Sequence, residues 1–207
     1  MKLVIFGSTG GIGKQVVEQA LAAGHDVTAV ARRPEAVTTR HKNLEVIRGD
    51  VLDPATIGQA VVGKDAVISA LGVANRAPTT LYSEGIANIM QAMYTARARR
   101  LICVSASGLE PGPRLQRWIA KPLLWRILKN MYTDLVRMEG MVTASNLDWT
   151  ILRPPRFTNG PRTGHYQIAV NKHLSRGSLI SRADIADCIL AQLKNPVSYC
   201  ALVEIAY

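Results

Sequence analysis

Near the start of the chain, Gly7-Ser8-Thr9-Gly10-Gly11-Ile12-Gly13 sets glycines at G-x-x-G-x-x-G spacing directly after the apolar run Lys2-Leu-Val-Ile-Phe6. A diphosphate demands such a stretch. It must approach the backbone more closely than a Cβ permits, and unpaired N–H groups at a helix N-terminus then hold its charge. In this pattern Gly7 serves the tight turn, Gly10 the close approach, and Gly13 the packing of helix on strand. A second group follows the next apolar stretch, where Ala31-Arg32-Arg33-Pro34 holds no acid before Glu35. An Asp or Glu at this point binds the ribose 2′-hydroxyl of NAD, whereas Arg32 and Arg33 can pair with a 2′-phosphate. Arg32 can also stack on an adenine. The pair therefore points to NADP(H) as the cofactor.

Further candidates lie at the ends of later apolar runs. Gly49-Asp50-Val51 offers an acid and an apolar side chain. Asp50 either accepts from the adenine amine while Val51 packs on the ring, or it caps the turn. Ala70-Leu71-Gly72 ends the fourth run, and Gly72 leaves room for the ribose and nicotinamide. Ser105-Ala106-Ser107 ends the fifth, where hydroxyls can orient the nicotinamide or an acceptor or simply form a turn. Nothing beside Ser105 or Ser107 would make either a nucleophile. Pro154, Pro155 and Arg156 follow the sixth run, the prolines beside the cofactor and Arg156 toward an anionic acceptor. Ser105, Ser107 and Arg156 are the candidate catalytic group.

The elements that must position these residues are legible as strand–helix alternation. Strand, glycine turn, helix and strand within the first thirty-odd residues make a βαβ unit, with Ile12, Val16, Val17, Ala20 and Leu21 on one helical face. Strands are expected at Leu44–Arg48, Asp65–Ala70, Arg100–Val104, Asp148–Leu152 and Tyr199–Ile205. Helices are expected from Asp53 to Val62, from Leu81 to Arg97 with Thr79 or Thr80 and Glu84 as a capping box, through Tyr132 to Ala144, and after Ser181 with Asp184 as its cap acid. Residues 157 to 180 read as loop-rich, and the stretch 114–130 as a basic amphipathic segment with Trp118 and Trp125 that packs on the domain or else covers the active site, contacts a partner or touches a membrane surface. The pattern is a single α/β domain over 1–207, a three-layer α/β/α Rossmann-type fold with a doubly wound, mostly parallel sheet. A small substrate-side region would come from about 109–130 and 154–180.

Composition narrows the class. The 207 residues are 48% hydrophobic and 19% charged, enough to bury a core without disulfides. Cys103, Cys188 and Cys200 form neither a C-x-x-C nor a zinc spacing, so no metal centre is expected and a reducing compartment is. The first strand begins at once, without a signal peptide, and no run spans a membrane, so a cytoplasmic protein is expected. The net charge of +10 is spread along the chain, and aromatics are only 5%, which argues against nucleic acid and for a field that draws in anionic ligands. A monomer or weak homodimer is expected.

Together these motifs resemble the atypical short-chain dehydrogenase/reductase family, the NAD(P)-binding and NmrA-like proteins, over nearly the whole chain. The motifs Gly49-Asp50-Val51 and Pro78-Thr-Thr80 with Ser83-Glu-Gly85 are most similar to its biliverdin reductase B and flavin reductase members. The resemblance implies an NADPH-dependent reductase passing hydride to a flavin or a linear tetrapyrrole, with the flavin as substrate and not as a prosthetic group. It also implies an alternative, a non-catalytic NADP-binding redox sensor. Two departures stand out. The Tyr-x-x-x-Lys pair of the wider family is missing, since Tyr132 is followed by Val136 and Tyr94 by Ala98. Arg156 stands where flavin reductase has a His after Pro-Pro. Both fall on the side of the acceptor, a small anionic or aromatic molecule.

Overall fold

The computed structural model describes residues 1–73, 75, 77–109 and 121–207, the last range as backbone alone over 121–127. The stretch 110–120 and the side chains of 121–127 lie outside the described residues, and with them most of the basic tryptophan segment. Strand β1 (Lys2–Phe6) leads through the glycine turn into α1 (Gly11–Ala22) and β2 (Asp26–Ala31), as expected. Next come β3 (Leu44–Arg48), the short α2 (Gly58–Val61), β4 (Ala66–Ser69), α3 (Leu81–Ala96), β5 (Arg100–Val104), α4 (Lys121–Thr143) and β6 (Asp148–Arg153). The chain continues with β7 (Arg156–Thr158), β8 (Gln167–Val170), β9 (Leu179–Ser181), α5 (Arg182–Gln192) and β10 (Ala201–Ala206).

Eight strands form one sheet in the order β3-β2-β1-β4-β5-β6-β10-β8, parallel except where β8 runs against β10. Alternation along the strands divides the core. Val4 and Phe6 face a cluster with α2, α3 and α4, whereas Leu3 and Ile5 face a cluster with α1 and α5. Successive side chains of a strand point to opposite faces, so the apolar run of β1 serves both layers. The result is the doubly wound α/β/α arrangement that the sequence predicts. The order reverses between β1 and β4, and parallel sheets of this kind open a crevice at such a switch point.

Three local readings differ from expectation. The Asp53–Val62 helix is only a 3-10 turn at Pro54–Thr56 followed by α2. Thr56 there turns its hydroxyl onto the carbonyl oxygens of Asp53 and Asp50, at 2.8 and 3.2 Å. Such side-chain bonding competes with helix propagation. The stretch 157–180 carries β8 and most of a separate two-stranded sheet of β7 and β9. These strands have three or four residues each, too short for a periodic signal.

The third difference is at α3. Thr80 holds the N-cap position without a side-chain cap bond, whereas Thr79, the other candidate, accepts from the Leu81 N–H at 3.1 Å. The buried carboxylate of Asp134 on α4 accepts the next amides, the Tyr82 N–H at 2.8 Å and the Ser83 N–H at 3.4 Å, together with the Ser83 hydroxyl. By contrast α5 is capped locally, as predicted, with Ser181 Oγ accepting from the Asp184 N–H at 2.9 Å. Burial disfavours the Asp184 carboxylate, but bonds donated by Tyr207, Gly164 and Thr163 prevail and hold its pKa below the ordinary value.

Candidate functional site

The ends of the central strands are level. Phe6 sits opposite Val30 on one side and Ser69 on the other, and Ser69 sits opposite Cys103. Gly7, Ala31, Ala70 and Val104 therefore emerge side by side at the carboxyl edge. A cavity of about 480 Å³ opens there, running from Arg32 and Asp50 after β2 and β3 to Ser105 after β5.

Its floor is the glycine turn. Gly7 has φ +78°, and a Cβ on it would lie 2.3 Å from the Ala70 carbonyl oxygen; one on Gly13 would lie 2.1 Å from the Gly7 oxygen. Neither position admits a side chain, so the turn brings bare backbone to the cavity as a diphosphate requires. The Gly10 N–H closes the turn on the Gly7 oxygen at 3.0 Å. Gly10 then caps α1 with no side chain, which leaves the first amides of the helix without a side-chain acceptor.

The structure brings Gly7, Thr9, Gly10, Gly11, Ile12, Arg32, Asp50, Val51, Ala70, Leu71, Gly72 and Ser105 onto one wall, all of them candidates from sequence. Ser8 and Gly13 support that wall from behind. Ser8 is buried and its hydroxyl donates to the Val30 oxygen at 2.9 Å, fastening the turn to β2. Asp50 does both things that its position allows: it faces the cavity, and its carboxylate accepts from the Leu52 N–H at 3.0 Å.

Arg33, Ser107, Pro154, Pro155 and Arg156 are not in the wall. Ser107 and Pro154 instead extend the β5–β6 pairing, the Ser107 N–H donating to the Pro154 oxygen at 2.9 Å. Arg156 is exposed at the start of β7, one residue before Phe157, which does line the cavity. The preceding Arg153 is buried and its guanidinium donates to the Glu139 carboxylate at 2.9 Å, tying β6 to α4.

Ser105 is 7% exposed, and its hydroxyl has no hydrogen-bond partner among the described residues. A buried hydroxyl without a partner is costly unless a ligand supplies one. Beside it the wall turns apolar with Val104, Ala106, Met131, Leu135 and Phe157. Tyr82 also lines the cavity, its hydroxyl accepting the Val73 N–H at 3.3 Å. Burial, opposed by that N–H and assisted by Asp134, pushes the Tyr82 hydroxyl above its ordinary pKa and keeps it protonated. Among charged lining side chains Arg32 and Arg182 outnumber Asp50, which favours an anion.

Sequence reasoning missed Arg182, Phe157, Met131 and Leu135. Met131 and Leu135 share a face of α4 at helical spacing, a signal that packing alone also explains. Nothing in the sequence ties Arg182 to the turn at Gly11.

Residues 7–196 match the NAD(P)H-binding family, and the chain belongs to it. YwnB of Bacillus subtilis (strain 168) is 27% identical over 207 residues, covering 95% of this chain and 93% of its own. Among solved structures, the oxidoreductase ylbE of Lactococcus lactis superimposes with a TM-score of 0.84 at 26% identity, covering all of this chain and 90% of that one. A Streptococcus pneumoniae TIGR4 protein, SP1627, carries the name NADH-flavin reductase. It matches with a TM-score of 0.80 at 26% identity, over 100% of this chain and 99% of its own. Among the described residues no helix is long and apolar enough to cross a membrane.

Proposed function

We propose that this protein is an NADPH-dependent reductase that passes hydride to a planar acceptor, a flavin or a linear tetrapyrrole. The observation that carries the reading is the unpartnered Ser105 hydroxyl beside an apolar wall, at the opposite end of the cavity from Arg32. The polar end suits a phosphorylated adenosine, and the apolar end suits an aromatic ring. The similarity to a protein named NADH-flavin reductase supports the acceptor class, while Arg32 and Arg33 favour the phosphorylated dinucleotide.

NADPH, when bound, supplies the hydride from its nicotinamide ring. The chain's own residues bind and orient. Arg32, assisted by Arg33, pairs with the 2′-phosphate. Asp50 and Val51 hold the adenine, and the amides between Gly7 and Gly13 hold the diphosphate. Ala70, Leu71 and Gly72 would leave room for the ribose and nicotinamide side of the dinucleotide. Ser105 donates to a carbonyl oxygen of the nicotinamide amide or of the acceptor, and Phe157, Met131 and Leu135 exclude water from the ring faces. Pro154 and Pro155 set the direction of the chain that carries Phe157, and Arg156 stands outside the wall where an acceptor phosphate or propionate would reach it. Carbonyl reduction needs a protein acid of the Tyr-x-x-x-Lys kind, which this sequence lacks. A flavin takes up hydride at N5 without one, the proton coming from solvent.

NADPH oxidation measured against FMN, FAD, biliverdin and quinones tests the reading. Turnover with a flavin or biliverdin is expected. Absence of turnover with all of them, in protein that binds NADPH, would replace the reductase with a dinucleotide sensor.

A further inference from the structure

Arg182 opens α5, yet its side chain lies across the start of α1. A Cβ built on Gly11 would come within 2.6 Å of both Cδ and Nε of Arg182. The guanidinium stacks on the Phe157 ring, 4.6 Å from its centroid, and donates to the Asn159 side-chain oxygen. Both partners are neutral. The neighbouring Asp184 is taken up by Ser181, Thr163, Gly164 and Tyr207, and no carboxylate pairs with Arg182 among the described residues. A cation is thus stacked and hydrogen-bonded into place at the wall of an anion-binding cavity with its charge uncompensated. It faces the end of α1 whose amides lack a side-chain cap.

We propose that Arg182 is a second diphosphate ligand, closing on the anion from the side opposite the α1 amides, with Phe157 and Asn159 as its positioning residues. The proposal rests on the reading that the cavity holds the dinucleotide, and it adds a role for the substrate-side region. Phe157 and Asn159 belong to or follow β7, and Arg182 follows β9, so the small β7–β9 sheet carries every part of the clamp. It also gives a reason for glycine at position 11. The backbone there has an ordinary φ that alanine tolerates, and the space a methyl would fill is the space the arginine uses.

The diphosphate is common to NADPH and NADH, which separates this role from that of Arg32. Binding of both dinucleotides to Arg182→Gln, Arg182→Lys, Gly11→Ala and the Gly11→Ala/Arg182→Gln pair, by calorimetry on proteins of matched thermal stability, provides the test. Arg182→Gln should weaken NADPH and NADH by the same factor, about 10- to 100-fold, the size of a charge-assisted contact. Arg182→Lys should recover part of that loss. Gly11→Ala should weaken binding in the parent by displacing the arginine, and should add less than about 2-fold once Arg182 is gone, as coupled sites do. Unchanged affinity in Arg182→Gln, loss confined to NADPH, or fully multiplying effects of the two substitutions would each overturn the clamp. A parent protein that binds neither dinucleotide would overturn the cofactor reading and the clamp together. Because the readout is binding, failure of reductase turnover alone leaves the test decisive.

Discussion

At the scale of single residues, the arginine pair after β2 is divided by the structure. Arg32 lines the cavity and Arg33 does not, although both are exposed. Arg32→Ala should therefore weaken NADPH more than Arg33→Ala, by about 1–2 kcal/mol or roughly 5- to 30-fold after allowance for solvent screening. NADH affinity should hold within about 2-fold, since it has no 2′-phosphate to lose. A fluorescence titration of both dinucleotides checks this, and equal loss for the two would move Arg32 away from the 2′-phosphate. Ser105 makes a second residue-scale case. Its buried hydroxyl is unpartnered, so Ser105→Ala removes an unfavourable burial from the free protein. The melting temperature should stay level or rise slightly, while kcat/KM falls by about 3- to 10-fold, the worth of one neutral hydrogen bond. A lower melting temperature with unchanged kinetics would make Ser105 a structural residue.

At the scale of elements, what was legible in the sequence was what is local. The glycine turn and its βαβ unit could be read because strand, turn and helix are consecutive and each carries its own period. The Ser181 cap could be read because its partner Asp184 is three residues away. At α3 the Thr79 part of the cap could be read, but the Asp134 part could not, because Asp134 lies 52 residues beyond Tyr82 and reaches it only through the packing of α4 on α3. That contact places the α3 start, and with it the Tyr82 wall of the cavity, under the control of a distant helix. Asp134→Ala should cost about 2–3 kcal/mol, combining a lost cap with buried donors left unpaired. Asp134→Asn, which keeps one acceptor, should cost less. Denaturant midpoints at constant slope would measure both. Equal midpoints for parent and alanine variant would mean that water replaces the carboxylate.

At the scale of the whole molecule, the sheet order places the switch point between β1 and β4, and the candidates after β1, β2, β3 and β4, with Ser105 after β5, converge there because they follow the carboxyl ends of strands, although Arg33 stays outside the wall. That convergence was predictable from a parallel sheet alone. The opposite rim was not. Phe157 and Arg182 reach the cavity from β7 and α5, elements whose approach to α1 depends on the packing of α5 against α1, where Gln19 donates to the Ala183 oxygen at 2.9 Å. Arg156 begins β7 on the side away from Phe157, as strand alternation requires, whereas Pro154 is buried and Pro155 half-buried in the link between β6 and β7. The net charge of +10 acts over the entire surface and favours the approach of a polyanionic cofactor.

A reductase of this kind must transfer hydride from NADPH to a planar acceptor in this cavity. An anaerobic single-turnover experiment tests it most directly: limiting NADPH is mixed with the protein and excess FMN or biliverdin, and the two chromophores are followed together. NADPH should disappear with stoichiometric reduction of the acceptor, faster than NADH does at the same concentration. Bound NADPH that stays reduced in the presence of every such acceptor would contradict it.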